Sequence, residues 1–363
     1  MLSVLERLGR KPYQVVWELT LACNLNCRHC GSRAGAARPD ELSTEEALRL
    51  ARELCELGTR RVTLAGGEPI LREDWPLIAE AMTSRGVKVN ILSNGKAWTR
   101  NHARQAKLFG LNNVGFSVDG CEVTHDFIRR VPGHWEALLR TIDETVALGV
   151  KVAVVTQLNR RNIAELETMK EILASHGVTA WQLQFGNPTG NMADHRELVI
   201  PPQDLLTIIP RIAALRRAGG MPRIHPSDNV GYYGEFERDL RDDGGPIPYW
   251  IGCRAGLTVL GIESNGNIKG CLSLPSAMNQ EDRFVEGNIR RRSLREIWED
   301  PNGFSYNRQF QVEHLQGFCR TCDYAEICRG GCSWTSFAHT GECGGNPYCY
   351  HRQLTEQAAR AAT

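Results

Sequence analysis

Between residues 14 and 184 the chain alternates short runs of β-branched and aromatic residues with longer stretches whose apolar positions recur at helical spacing. The runs are QVVWELT (14–20), RVTLA (61–65), VKVNIL (87–92), NNVGFSV (112–118), VKVAVVT (150–156) and TAWQLQ (179–184). Among the intervening stretches, Ser43-Thr44-Glu45-Glu46 carries the signature of a helix N-terminus, and Leu48, Leu50 and Leu54 follow on one face. Further helices are predicted near 74–85, 134–148 and 162–176. Six strands separated by helices imply an α/β fold with a parallel sheet, whose ligand sites lie beyond the C-terminal ends of the strands. After Pro201 a helical stretch (205–218) is interrupted by Pro210, and Gly219-Gly220 and Gly244-Gly245-Pro246 break the pattern again. The organisation expected is a lead-in (1–13), a core with its linker (14–240) and a C-terminal domain (241–363). The last is short of apolar periodicity and rich in Cys and Gly. There is no internal repeat and no low-complexity tract.

Composition narrows the function classes. The chain has 363 residues, 42% hydrophobic and 23% charged, which fits a folded globular protein and excludes disorder, collagen and coiled coil. A balance of 43 Lys and Arg against 42 Asp and Glu gives no global field toward nucleic acid or a membrane surface, and neither is expected as a partner. No uninterrupted apolar run approaches the roughly 18 residues of a bilayer span. Glu6, Arg7, Arg10 and Lys11 occupy the place of a signal peptide's apolar region, so a cytoplasmic location is expected.

Cysteine changes the picture. There are 13, an odd count, and disulfides are not expected in a reducing compartment. Cys23, Cys27 and Cys30 fall directly after the first strand in a C-x3-C-x2-C spacing. Three thiolates in one loop leave a metal position open, which points to a cluster completed by a non-protein ligand. The competing reading is a zinc knuckle completed by His29 or a distant residue. Eight more cysteines (Cys253, Cys271, Cys319, Cys322, Cys328, Cys332, Cys343, Cys349) gather near the C-terminus. Cys55 and Cys121 stand apart, and Cys55 reads as a small buried hydrophobe on a helix.

Polar turns follow the next strands. Gly66-Gly67-Glu68-Pro69 ends the second; its glycines allow close backbone approach, and its carboxylate suits an ammonium group. Ser93-Asn94-Gly95 ends the third strand and Ser117-Val118-Asp119-Gly120 the fourth, with His125-Asp126 and Arg129-Arg130 behind it. Any one of these reads as an ordinary capped turn; together, above one cysteine loop, they read as a site.

On these residues the chain resembles the radical S-adenosylmethionine superfamily, over nearly its whole length. The resemblance implies a partial (β/α)6 TIM-like barrel in which Cys23, Cys27 and Cys30 hold a [4Fe-4S] cluster whose fourth iron is chelated by S-adenosylmethionine. It implies that His29 packs the adenine and that Gly66, Gly67 and Glu68, with Pro69 closing the turn, meet the methionine amine. Ser93 and Asn94 fall at the ribose and neighbouring polar groups, and Ser117 and Arg129 are the candidates for the carboxylate. The C-terminal spacings, with Cys319-x2-Cys322-x5-Cys328-x3-Cys332, resemble the SPASM extension of peptide-modifying radical enzymes. By that resemblance Cys319, Cys322, Cys328 and Cys349 hold one auxiliary [4Fe-4S] cluster and Cys253, Cys271 and Cys332 a second. The second set is one short: either Cys343 completes it or an iron stays open. Zinc in two tetrahedral sites is the alternative for this region.

The resemblance implies an oxidoreductase: an electron from the first cluster cleaves S-adenosylmethionine, and the 5'-deoxyadenosyl radical abstracts hydrogen from the substrate. The leading expectation is oxidative maturation of a ribosomally made precursor peptide, by a C-C or thioether crosslink or a related change. A separate peptide-recognition protein is expected, since about a dozen residues precede the first strand, and a flavodoxin- or ferredoxin-type electron donor. Runner-up readings are tetrapyrrole side-chain modification, as in alternative haem synthesis, and sulfatase maturation, against which Leu272 stands where an acidic residue is expected. A non-catalytic zinc-stabilised binding module is the reading from a different class. Trp181, Gln184 and Tyr232-Tyr233 are candidate substrate contacts; Arg290-Arg291-Arg292 reads as a solvated patch or a contact for an acidic leader; the catalytic base is unassigned.

Overall fold

The computed structural model describes residues 10–275 and 282–362. The six expected strands form: β1 (Gln14–Thr20), β2 (Arg61–Gly66), β3 (Lys88–Ser93), β4 (Asn113–Ser117), β5 (Val152–Leu158) and β6 (Ala180–Phe185), paired in parallel and in sequence order. Four further strands extend the sheet. β7 (Arg223–Pro226) adds to β6, while β8 (Val259–Ile262) pairs in parallel with β1 and is followed by the antiparallel β9 (Asn267–Lys269) and β10 (Val285–Asn288). The order is β10-β9-β8-β1-β2-β3-β4-β5-β6-β7, so the C-terminal region shares one sheet with the barrel.

Helices cross between the parallel strands as the pattern requires. α1 (Thr44–Glu56) opens with the expected capping box between Ser43 and Glu46 and buries Ala47, Leu50, Ala51 and Leu54. α2 (Trp75–Thr83), α5 (His134–Ala147) and α6 (Leu166–Ser175) fall within the expected ranges. Two helices between the barrel strands were not anticipated, α3 (Arg100–Leu108), which buries only Ala103 and Ala106, and α4 (Glu122–Arg129), nor were those of the C-terminal region, such as Tyr350–Ala361. α7 (Leu205–Arg217) runs through Pro210 instead of breaking there, because Leu205, Ile208, Ile209, Ile212 and Ala213 are buried on both sides of it and outweigh one lost backbone hydrogen bond. By length and composition the segment Arg196–Arg217 could cross a membrane, yet these buried residues tie it to the core.

The core is the filled interior of the sheet with its helices: Val15, Trp17 and Leu19 from β1, Leu64, Ile91, Phe116 and Val154 from the next strands, and Trp181. Trp181 is fully buried and donates through Nε1 to Thr156 Oγ1 at 2.7 Å, so it is a core residue and no substrate contact. The C-terminal region is tied in by polar links as well. Buried Glu18 accepts from Arg38 Nε (2.9 Å) and Ser264 Oγ (2.8 Å). The arginine triplet is only partly free: Arg290 pairs with Glu46 and Arg292 with Asp300.

Candidate active site

The cysteine loop leaves β1 and is pinned at three places. Cys23 N–H donates to the Gly35 carbonyl (2.9 Å), Arg28 N–H to the Ile128 carbonyl (2.9 Å), and Asn191 reaches the Cys30 carbonyl through its N–H (2.8 Å) and the Cys27 carbonyl through Nδ2 (2.9 Å). The approach of the segment after β6 requires glycine: Gly190 has φ +56°, and a Cβ there would lie 2.2 Å from the Cys30 carbonyl. Each thiol meets an N–H donor. Asn94 Nδ2 is 3.7 Å from Cys23 Sγ, Arg129 Nη1 is 3.7 Å from Cys27 Sγ, and Ala34 N is 3.4 Å from Cys30 Sγ. Burial pushes Cys27 up to about 11 against the pull of Arg129, so an ionised thiolate needs a further cation, which iron would supply.

The turn after β2 packs backbone to backbone on that loop. A Cβ on Gly66 (φ +144°) would lie 2.2 Å from the Thr20 carbonyl, and one on Gly67 would lie 2.2 Å from the Ala22 carbonyl. Gly67 and Glu68 instead donate their N–H groups to those carbonyls, at 2.8 and 2.7 Å. Glu68 is thereby held fully buried: Oε2 accepts from Asn94 N–H (2.7 Å), and Oε1 has no partner. Burial raises its carboxyl to about 7. A buried carboxylate with one idle oxygen fits an ammonium ligand. Pro69 is buried and opens the single turn Pro69–Leu71.

Asn94 spans from Cys23 to Asn24 Oδ1 (2.7 Å) and so belongs to the cysteine loop's support. Ser93 is buried and its Oγ accepts from Gly95 N–H (3.0 Å). Ser117 ends β4, half-buried.

Sequence reasoning missed the hub. Asp119 is buried at the exit of β4, with His29 Nε2 2.7 Å and Arg129 Nη2 2.5 Å from its Oδ2, and Gln157 N–H donating to Oδ1 at 3.0 Å. Burial opposes its ionisation, but Arg129 and His29 outweigh it and hold the carboxyl far below the usual range. His29 turns Nε2 to Asp119, and its Nδ1 is buried without a protein partner. His125 Nδ1 accepts from Asp119 N–H (3.1 Å), and its Nε2 lies 2.8 Å from His134 Nδ1. Burial lowers His125 to about 2 and His134 to about 4, so this brace is neutral at physiological pH. The only sequence signal for Asp119 was its place in a polar turn, where an aspartate ordinarily reads as a cap. Around the loop, His29 Nδ1, Glu68 Oε1, Arg129 Nε and Gln157 Oε1 are all buried without partners. That is a guanidinium donor, an amide acceptor and an imidazole nitrogen beside an ionisable carboxylate, and it fits a zwitterionic ligand carrying a heterocycle.

The C-terminal thiols sort into two sets. Burial drives Cys349 up to about 12, with Cys319 and Cys322 adding to it, and Cys328 rises with the same neighbours. In the other set, burial and Cys253 push Cys343 up to about 12, while Cys332 rises beside Cys253 and Cys271. Cys343 therefore lies within electrostatic reach of Cys253, the first cysteine of the set that is one short. Among the described residues no three Cys, His, Asp or Glu groups close around a single metal ion, and thiolates on a cube stand further apart than those on one tetrahedral ion. Tyr232 and Tyr233 are buried between the two sets, so they too are no substrate contacts: Tyr232 Oη accepts from Cys332 N–H (3.1 Å), and Tyr233 stacks on Tyr324 at 3.9 Å. Asn187, just past β6, links the regions through Thr335 Oγ1 (3.2 Å) and His339 Nε2 (3.2 Å).

Comparison with known proteins agrees with this layout. The radical SAM superfamily model matches residues 17–173, and SPASM, an iron-sulfur cluster-binding domain, matches 253–323. An AdoMet-dependent heme synthase of Methanosarcina barkeri is 29% identical over 352 residues, 94% of this chain and 97% of its own length. The mycofactocin maturase MftC of Mycobacterium tuberculosis is 27% identical over 341 residues, 93% of this chain and 82% of its own. In fold, Streptococcus suis SuiB bound to precursor peptide SuiA superposes with a TM-score of 0.70 at 16% identity, covering 94% of this chain and 75% of SuiB. The enzyme anSMEcpe with bound AdoMet gives 0.71 at 15%, covering 96% and 97%. The chain carries a radical SAM domain followed by a SPASM domain, and these imply as its cofactors a [4Fe-4S] cluster, S-adenosylmethionine and auxiliary iron-sulfur clusters.

Proposed function

We propose that this enzyme oxidises a ribosomally made peptide, abstracting hydrogen from an unactivated carbon and passing the remaining electron to its auxiliary clusters. The observation that carries the oxidation is the pair of four-cysteine sets, tied by Asn187 to the exit of β6. A redox-neutral radical rearrangement has no use for a second electron acceptor. In this reading Cys23, Cys27 and Cys30 hold the first cluster; Cys319, Cys322, Cys328 and Cys349 hold one auxiliary cluster; Cys253, Cys271, Cys332 and Cys343 hold the other. Bound at the first site, cluster and S-adenosylmethionine supply one-electron cleavage and a hydrogen-abstracting radical. The chain's own groups bind and orient. Glu68 takes the amine, Arg129 with Ser117 the carboxylate, and His29 the adenine, while Gly66, Gly67, Pro69, Ser93 and Asn94 shape the cradle. Asp119 fixes His29 and Arg129 in place.

Support for a peptide substrate comes from the maturase relative and from a fold that accommodates a precursor peptide in SuiB. A partner protein presenting the peptide and a cytoplasmic setting belong to the same reading. The heme synthase favours a second reading, tetrapyrrole side-chain modification, because the match spans 97% of its length against 82% for the maturase. One experiment separates them: anaerobic incubation of reconstituted enzyme with reductant and S-adenosylmethionine, offered either a short peptide encoded beside its gene or an iron porphyrin with propionate side chains. A mass loss in the peptide alone supports the proposal; a change in the porphyrin alone replaces it with the second reading.

A further inference from the structure

The cleavage of S-adenosylmethionine consumes an electron that the chain must receive from outside, and one surface patch stands directly over the loop that holds the first cluster. α4 has two faces. Inward, Ile128 accepts the Arg28 N–H through its carbonyl (2.9 Å), and Arg129 reaches Cys27 Sγ (3.7 Å). Outward lie Val123 and Phe127 at i and i+4, with Val123 75% exposed, and the exposed Arg130 caps the helix C-terminus. The guanidinium groups of Arg28 and Arg161 both lie over the Phe127 ring, 4.3 and 4.0 Å from its centroid. Arg28 sits between Cys27 and Cys30 in the sequence; Arg161, which shares the Phe127 ring with it, is exposed, as are Arg160 next to Arg161 and Arg130 next to Arg129. Among the described residues no ion pair holds Arg28, Arg130, Arg160 or Arg161, although the exposed Glu197 feels Arg28 at longer range. Some exposed arginines elsewhere are paired, as Arg33 is with Asp194 and Arg283 with Glu342.

Two guanidinium groups on one ring repel each other, and a carboxylate-bearing partner would relieve that repulsion. An apolar centre of Val123 and Phe127 within a rim of arginine is the composition of a protein interface core and rim. We infer that this face of α4, with Arg28 and Arg161, is the docking surface for a small acidic one-electron carrier protein that reduces the first cluster. The inference rests on the radical reading of the site. One electron passes from the carrier, which is oxidised, to the cluster, which is reduced, and no atom or proton crosses the interface. The short path from α4 through the Arg28 backbone to the loop 23–30 is what makes this face suitable.

The test compares reconstituted wild-type holoenzyme with an Arg161→Glu/Val123→Asp double variant and an Arg161→Lys variant. Formation of 5'-deoxyadenosine is followed with dithionite, or with a flavodoxin kept reduced by its NADPH-dependent reductase; flavodoxin binding is measured separately at low and high salt. The expected result is at least a tenfold loss of flavodoxin-driven turnover and of flavodoxin affinity in the double variant, with dithionite-driven turnover within twofold of wild type. Arg161→Lys should keep most of both, and binding should weaken with salt. Equal losses with both reductants, or unchanged flavodoxin binding, overturn the docking surface. Absence of 5'-deoxyadenosine from wild type with dithionite would instead overturn the radical reading, and the binding measurement then still decides whether the patch recognises an acidic carrier.

Discussion

The two cysteine-bearing regions bury thiols in opposite surroundings. In the barrel, Cys23, Cys27 and Cys30 lie beside a charged and hydrogen-bonded hub of Asp119, Arg129, His29 and Glu68, several of whose polar atoms have no protein partner. In the C-terminal region the thiols pack among Tyr232, Tyr233, Trp250, Tyr306 and Tyr324. The first surrounding suits a polar ligand that comes and goes; the second suits cofactors that stay and pass electrons. The stability sources differ too. The barrel has a continuous apolar core, whereas the segment around Cys319 to Cys349 is built of short helices such as Ala325–Cys328 and Ser333–Thr340 and depends on its metal to hold together.

The sharpest way to break this contrast is to remove ligands on each side. Replacing Cys23, Cys27 and Cys30 together with Ala should abolish 5'-deoxyadenosine formation and remove about four of about twelve irons. The melting temperature should shift little, because the apolar core does not depend on that loop. Cys349→Ala should do the reverse: about four irons lost with S-adenosylmethionine cleavage retained, product formation lost, and residues after 315 cut first in limited proteolysis. Equal destabilisation by both variants would show that the regions do not differ as described.

Smaller effects sharpen the barrel side. Asp119→Asn leaves Arg129 buried with a neutral partner, so chemical denaturation should show a loss of about 3 kcal/mol, and S-adenosylmethionine binding should weaken as His29 and Arg129 lose their anchor. The mildest effect is a pH dependence. Glu68 titrates near 7 in the free protein, so S-adenosylmethionine affinity should fall as pH drops below about 7, where the carboxyl must lose its proton to meet an ammonium. Glu68→Gln should weaken binding and flatten that profile, which calorimetry across pH 6 to 8 would check on the order of a tenfold change per unit. Its linkage to folding has the opposite sign from a paired carboxylate. The raised value costs the free protein stability as pH climbs from the ordinary carboxylate range toward 7, about 1.4 kcal/mol per unit.

Much of this was legible in the chain before folding, for a physical reason: β1 to β6 are runs of β-branched residues long enough to show their kind, and the Cys spacings are local. β7 to β10 have only three or four residues each and no readable period, so their joining of the same sheet could not be read. α3 is polar apart from Ala103, Ala106 and the exposed Leu108, and α4 lay hidden behind the polar motif that it carries. Within the site, Glu68 and the cysteines announced themselves by type and spacing. Asp119 did not, because its role depends on bringing His29 and Arg129 together from far along the chain. The placement of Cys343 beside Cys253 is likewise a product of folding.

The pairing of β8 with β1 also sets an order of events during synthesis. Gln14 leaves the ribosome long before its sheet neighbour Val259, which follows after most of the barrel has been made. Until then β1, the strand that feeds the cysteine loop, presents a bare hydrogen-bonding edge. A nascent or truncated chain stopping before residue 259 carries an open, aggregation-prone seam next to the loop of Cys23, Cys27 and Cys30, so the residues of β8 shield a strand made about 240 residues earlier.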